Sequence, residues 1–420
     1  MCKFIYKQMG LVGLIILFAC IARLALAIWA GNKPATPLTG GSDTLAYQAL
    51  ADSIVHHRGM SYQGQPTALR PPLYPMFLAL IQLVAGNRYR LVVRLIQFLA
   101  GIGVAIVCAR ASQKIGGAST IAFTAALVAP TLVFFAPEIL SETFAALLVA
   151  IFFALVIGDG SPLAVGAVIG LAMLERFNLT ALPVVYVVYQ LVVAQRTRAI
   201  KQISLAALAA VVVVSPWFIR NLIVFHGHAL YSTHTGFNLL EGIVMPDGRT
   251  QPGDTEKLKS LCGFVIPDIE INSPTRLLFP SEPELDRRAM TAAIAQLTSP
   301  EISLVRLTAQ KLGYFWLGFD QLFQARSMKA TQRIERFAGT AVYWIFLGMG
   351  IYGWWELRAR NQDAAWLFII YVIVVTALHL PFVMNTRIRA PLVEPALCIL
   401  IGCGFPSMAA KNSLPVRDQN

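Results

Sequence analysis

The sequence predicts an all-α polytopic membrane protein of about ten transmembrane helices, with surface helices in a first long loop and a second, longer loop farther along. Three observations predict it. Of the 420 residues, 56% are hydrophobic and only 13% charged, with a mean hydropathy of +0.63, outside the range of soluble globular chains. Apolar runs recur in stretches of roughly 17 to 22 residues, enough for a helix to cross a hydrocarbon core of about 30 Å, whereas a transmembrane barrel needs short alternating strands. The basic residues gather between the runs at intervals that set a consistent orientation.

The first run, Gly10 to Ala30, is long for a signal-peptide core, and no clear small-residue cleavage pattern follows it. It reads as a retained span. Lys3 and Lys7 precede it and put the N-terminus in the cytoplasm. Further spans follow at 91–110, 119–136, 139–157, 162–175, 178–195, 202–222, 338–357, 364–383 and 390–407. The short cytoplasmic segments then carry Arg110 and Lys114, Arg196, Arg198 and Lys201, Arg358 and Arg360, and finally Lys411 and Arg417; only Gly158 to Ser161 lacks a basic residue. Treating Pro71 to Ala85 as a span would put Arg196 to Lys201 outside, and as a helix it reaches only about 21 Å.

Three regions follow: residues 1–222, a transmembrane core that includes the first outer loop at 31–90; residues 223–337, an extracytoplasmic loop; and residues 338–420, the C-terminal spans. In the second loop, Glu284 to Leu297 and Glu301 to Phe319 have helical periodicity, and Arg306 and Lys311 stand among aromatics as in interfacial helices. The outer face is also net basic, which suits lipid phosphates and equally suits anchoring at a lipid surface. Cys2, Cys20, Cys108, Cys262, Cys398 and Cys403 form no CxxC pair and suggest neither a metal site nor a disulfide framework.

Polar chemistry concentrates on the predicted outer side. Ser42 or Asp43 can cap a helix running to Arg58, with Gly59 as its stop and Tyr47, Leu50 and Ile54 along one face. On local grounds the cap is the simpler role for Asp43. In "RPPLYP", Pro71 biases Arg70 toward an extended backbone just before a second surface helix, leaving its guanidinium free for an anion or for membrane anchoring. "PEILSETF" brings Glu138 and Glu142, "LERFNLT" brings Glu175, Arg176 and Asn178, "SPWFIRN" brings Arg220 and Asn221, and "NTRIRAPLVEP" brings Arg387 and Arg389 to the same side. Ionisable groups near membrane depth need partners or a wet cavity, so pairing of Arg176 with Glu138 or Glu175 is as good a reading as a substrate site.

The ordered set "DTLAYQALADSI", "RPPLYPMFLAL", "PEILSETF", "PWFIRN" and "RIRAPLVEP" after a cytoplasmic N-terminus resembles the GT-C glycosyltransferases. The likeness is to the bacterial branch related to protein O-mannosyltransferases and lipid A aminoarabinose transferases. It spans nearly the whole chain and rests on motif order. The resemblance implies an inner-membrane enzyme with cytoplasmic termini that takes a sugar from a polyprenyl-phosphate donor at the periplasmic face. The sugar passes, with inversion, to an extracytoplasmic glycan, lipid or protein. By that resemblance Asp43 is the general base or orients the nucleophile, with Glu142 and Glu138 as further catalytic acids. Arg70, Arg220, Arg387 and Arg389 would hold the donor phosphate, and Tyr47, Tyr74, Arg176, Asn178 and Asn221 would line the substrate.

Where many relatives have two adjacent acids in the first loop, "GGSDT" offers one, with Asp52 nine residues on. No divalent metal or other cofactor is therefore expected beyond the lipid-linked donor. His56, His57, His226, His228 and His234 read as solvated side chains. Membrane lipids are the other partners expected, and nucleic acid is not. A transporter or flippase of lipid-linked sugars is the rival function; it would favour repeated halves with midplane sites, and no internal repeat is evident.

Overall fold

The computed structural model describes residues 2–34, 42–62, 64–248, 254–262, 282–324 and 330–405. The predicted inward charges Lys411 and Arg417, the end of the last predicted span and the side chains of Lys3, Lys7 and Ser42 lie outside what is described. The architecture is all-α, apart from an antiparallel pairing of Ser61–Tyr62 with Gln65–Pro66.

The helices run in order. α1 (Cys2–Ala30) is followed by α2 (Ser42–Val55), α3 (Leu73–Ala85) and α4 (Tyr89–Lys114). α5 (Ser119–Val128), α6 (Pro130–Phe135), α7 (Glu142–Ile157), α8 (Pro162–Glu175), α9 (Ala181–Val193) and α10 (Arg196–Val224) complete the first part. α11 (Thr235–Val244), α12 (Asp254–Cys262), α13 (Glu282–Leu297), α14 (Leu304–Leu317) and α15 (Phe319–Gln324) belong to the long second loop, and α16 (Ala330–Arg360), α17 (Gln362–His379) and α18 (Thr386–Cys403) close the chain.

By length and composition alone, four described segments can cross a membrane: Gly10–Ala30, Leu73–Lys114, Arg196–Val224 and Gln362–His379. α7, α8 and α9 are apolar but shorter. The chain is an integral membrane protein, and ten separate spans are more than these lengths establish.

The central core joins α4, α5, α7, α8, α17 and α18 through residues such as Val104, Cys108, Phe153, Phe368 and Tyr371, with Phe153 stacked on Phe368 at 5.0 Å. Small residues permit the closest crossings, as expected where lipid supplies no hydrophobic drive between helices. A Cβ at Gly166 of α8 would lie 2.0 Å from the carbonyl oxygen of Ala206 on α10, so only glycine fits there. Asparagine caps start the last two helices: the side chain of Asn361 accepts from Ala364 N, and that of Asn385 from Ile388 N.

One predicted span is corrected. Residues 119–136 are not a continuous helix, because Ala129 adopts ψ 117° before Pro130 and separates α5 from α6. Proline cannot donate into the preceding turn and disfavours a helical residue before it. The break is sealed by charge of the right sign at each end. Arg23 of α1 donates to Leu127 O at 2.9 Å and Ala126 O at 3.1 Å, and Glu394 of α18 accepts from Leu132 N at 3.2 Å.

The segment that follows, residues 136–141, is buried without being helical, so α7 begins at Glu142 and not at 139. Its backbone is satisfied from α4: Arg94 Nε donates to Pro137 O at 2.6 Å, and Gln97 Nε2 to Glu138 O at 2.6 Å. Non-helical backbone survives in a bundle only with such partners.

Candidate active site

Asp43 stands in the first turn of α2. Tyr47 and Ala51 on α2 pack with Tyr74 and Leu78 on α3 and with Val93 on α4, so α2 and α3 are clamped as a pair. That clamp fixes Asp43 relative to Arg70, which precedes the Pro71–Pro72 entry to α3. Arg70 Nη2 donates to Asp43 Oδ1. Arg70, expected to have its guanidinium free for an anion or for membrane anchoring, is held by Asp43, and its charge lies 5.9 Å from the Tyr47 ring centroid.

The second guanidinium on Asp43 comes from far along the chain. Arg387, in the first turn of α18, donates through Nη1 to Asp43 Oδ2 at 2.5 Å and through Nε to Glu142 Oε1 at 2.6 Å. Glu142, in the first turn of α7, also takes Arg176 Nη1 at 2.8 Å on the same oxygen. Ser141 joins here, accepting from Arg176 at 3.2 Å and lying 3.2 Å from the Tyr47 hydroxyl. Arg70, Asp43, Arg387, Glu142 and Arg176 thus alternate in sign along one chain of ion pairs, with one cation in excess.

Two atoms in this chain have unused capacity among the described residues. Arg70 Nε and Glu142 Oε2 are buried without hydrogen-bond partners. A buried donor or acceptor left unpaired is costly in a folded protein unless a ligand or water completes it.

Burial alone would raise the pKa of Asp43, but Arg70 and Arg387, with Arg176 behind them, hold it well below the usual carboxylate range. Burial would in turn lower Arg387, and the charges of Glu142 and Asp43 push it the other way, above the ordinary arginine value. Arg70 is likewise raised, chiefly by Asp43 against the cost of burial. A carboxylate so stabilised as an anion is a weak proton acceptor.

The other expected residues lie apart from this chain. Tyr74 is behind Tyr47, edge to face at 5.0 Å, with its hydroxyl given to Gln97 Oε1 at 2.6 Å. Glu138 is fully buried beside Arg94, and Arg176 pairs with Glu142 instead of Glu138 or Glu175. Asn178 is in a 3-10 turn at 177–180, and neither its Oδ1 nor its Nδ2 meets a partner among the described residues.

Arg220, expected at a donor phosphate, instead donates to Thr67 O at 3.0 Å and Met60 O at 2.8 Å between the rings of Trp217 and Phe225. It pins the 60–67 hairpin. Asn221 is turned to the carbonyls of Leu230 and Tyr231. Arg389 is corrected most sharply: its guanidinium is buried 3.4 Å from the Tyr343 ring centroid and donates to Phe315 O, away from Arg387. Two positions along a helix turn a side chain by about 200°, so both arginines cannot face one phosphate.

His234, expected as a solvated side chain, is instead buried, and Glu241 was not singled out in the sequence; after burial, the charges of Arg70 and Asp43 act on both. The helical spacing of 234, 238 and 241 is the signal that could have found them. Among the described residues no group of three or more His, Cys, Asp or Glu gathers as a metal site would.

No protein-family model matches the chain, and no curated protein does. It is similar in structure to ArnT from Cupriavidus metallidurans. Against the crystal structure bound to undecaprenyl phosphate, identity is 18% over 89% of this chain and 77% of that one, with a TM-score of 0.40. Against the apo crystal structure the figures are 19%, 90%, 78% and 0.39.

Proposed function

We propose that this protein is a membrane glycosyltransferase that moves a sugar from a polyprenyl-phosphate donor to a hydroxyl of an extracytoplasmic glycan, lipid or protein, inverting the anomeric centre. The observation that carries this reading is the convergence of Arg70 and Arg387 on one carboxylate, with Arg70 Nε still unpaired, where surface helices α2 and α3 meet the membrane bundle. Two guanidiniums suit a phosphate monoester, whose charge grows as the sugar leaves.

The donor's phosphate competes with Asp43 for both arginines. As Arg70 and Arg387 Nη1 turn to the lipid phosphate, Glu142 Oε1 keeps its hold on Arg387 Nε and Arg176 Nη1. Asp43 then accepts a hydrogen bond from the acceptor hydroxyl and orients it at the anomeric carbon, opposite the phosphate. The new C–O bond forms as the bond to phosphate breaks, the electron pair of the broken bond leaves on the lipid phosphate, and the hydroxyl proton passes to a carboxylate of the site; attack from the opposite face inverts the centre. Nothing in this step calls for a divalent metal, since the guanidiniums neutralise the leaving group.

The topology drawn from the loop charges puts this end of the bundle outside the cytoplasm, in the periplasmic space of a bacterial inner membrane, and both termini inside. A reporter fused after Pro252 is expected to give an extracytoplasmic signal; a cytoplasmic one overturns the orientation. The function is tested by mass spectrometry of envelope glycans with and without this gene. One missing sugar, together with accumulated polyprenyl-phosphate donor, supports transfer. Unchanged glycans with altered export of lipid-linked sugar would favour a flippase instead.

A further inference from the structure

Both ends of α11 are tied to an arginine-bearing segment. Just before the helix, Thr233 N donates to Ala68 O at 3.4 Å, and Glu282 Oε2 takes both Thr233 Oγ1 at 2.6 Å and Ala68 N at 3.2 Å, two residues from Arg70. Just after it, Met384 N donates to Pro246 O at 3.0 Å and Asn385 Nδ2 to Asp247 O at 3.0 Å, two residues from Arg387. Gly242 brings the helix into direct contact with the same segment, since a Cβ there would lie 2.5 Å from the backbone of Phe382.

The helix has two faces. Phe237, Leu240 and Ile243 are buried with Ala289 and Ala293 of α13, and Asp286 of α13 accepts from Gly236 N at 2.6 Å and Phe237 N at 3.1 Å, which fixes the rotation of α11. His234, Asn238 and Glu241 fall at i, i+4 and i+7, one stripe on another side. The charges of both Arg70 and Asp43 act on the two ends of that stripe, His234 and Glu241.

Resting on the transferase reading above, we propose that Glu241 is the general base: its carboxylate takes the proton of the acceptor hydroxyl as that oxygen bonds to the sugar, while Asp43 orients the hydroxyl. The balance is closed: the proton goes to Glu241, the new C–O bond forms on the sugar, and the electron pair of the broken bond goes to the polyprenyl phosphate. The division of labour follows from surroundings. Asp43 has both carboxylate oxygens on arginines and holds its negative charge too firmly to be an effective base. Glu241 is raised to about 7, first by burial and also by Asp43, with Arg70 opposing, so near neutrality it both ionises and accepts a proton readily. His234, at the other end of the stripe, is held down to about 3 by burial and Arg70 and is therefore neutral.

The test measures release of polyprenyl phosphate from an envelope lipid extract containing polyprenyl-phosphate sugars and their acceptors, by the full-length protein in detergent, from pH 5.5 to 9. For wild type the rate is expected to rise with pH through about 7 as Glu241 ionises. Glu241→Gln should lower kcat by about 100-fold and remove that rise while leaving KM for donor within a few-fold. Glu241→Asp, which keeps the carboxylate, should retain the rise at reduced rate. Wild-type release alongside a Glu241→Gln variant with unchanged kcat and the same pH rise overturns the assignment and leaves the transferase intact. No release by wild type, with the extract competent for a reference transferase, overturns the transferase reading itself. Should Glu241→Gln fail to fold, Glu241→Asp decides: a rate and pH rise identical to wild type would count against Glu241.

Discussion

Two clusters of arginine and carboxylate occupy this bundle, and they differ in what the charges grip. At the α5–α6 break, Arg23 and Glu394 hold the broken ends of the two helices through their backbone groups. Both are almost completely buried. At the end where α2 and α3 lie, Asp43, Arg70, Arg387, Glu142 and Arg176 grip mainly one another, and Arg70 and Arg387 keep about a third of their side-chain surface open, at 29% and 33%. Charges spent on backbone cannot be lent to a substrate; charges spent on each other can be exchanged for one. The first cluster is a splice and the second a site.

The largest break in that comparison should come from Asp43→Asn, which removes an anion from the exchangeable cluster with little change in shape. Transfer is expected to fall by about 1,000-fold or more, with the protein still monodisperse in detergent. Near-normal transfer would return Asp43 to a helix cap. Arg23→Leu should do the reverse, lowering stability by about 2 kcal/mol by stranding the carbonyls of Ala126 and Leu127, while transfer per folded molecule holds. Thermal unfolding in detergent, normalised against activity, separates the two.

Arg70→Ala should weaken use of the lipid-phosphate donor by about tenfold to a hundredfold in kcat/KM. Unchanged dependence on donor concentration would leave Arg70 as an anchor. The smallest effect concerns Glu241 and stability. Its carboxyl ionises near 4.3 in an unfolded chain, taking the ordinary glutamate value as about right, and at about 7 in the fold. The folded state therefore binds more protons between these values, so this contribution to stability is fully present below about 4 and is lost as pH rises through 7. Glu241→Gln escapes that loss, so its apparent melting temperature should gain on wild type between pH 5 and pH 8. A constant difference across that range would show that burial does not perturb Glu241.

Much of the fold was legible because length and hydropathy report what a bilayer demands. The predicted 162–175 coincides with α8, and 202–222 lies inside α10. The failures occur where side chains replace helical hydrogen bonds. Pro130 was a visible break signal, but the residues that make a break tolerable, Arg23 and Glu394, are more than 100 positions away from it in each direction. The local motifs "DT", "LRP" and "TRIR" pointed to Asp43, Arg70 and Arg387, yet only the fold shows that the three meet. Arg389 could have been set aside by helical period alone. Arg220 could not, because its partners are backbone carbonyls of a hairpin that no motif marks.

The buried stretch at 136–141 has a consequence for inheritance. Its hydrogen bonds are supplied by Arg94 and Gln97, which also hold Gly31 O and the Tyr74 hydroxyl at 2.8 and 2.6 Å. The stretch is therefore not a free-standing module. A chimera that imports 136–142 from another chain without positions 94 and 97 receives letters without the grammar that shapes them, and Glu142 would be delivered to the wrong place.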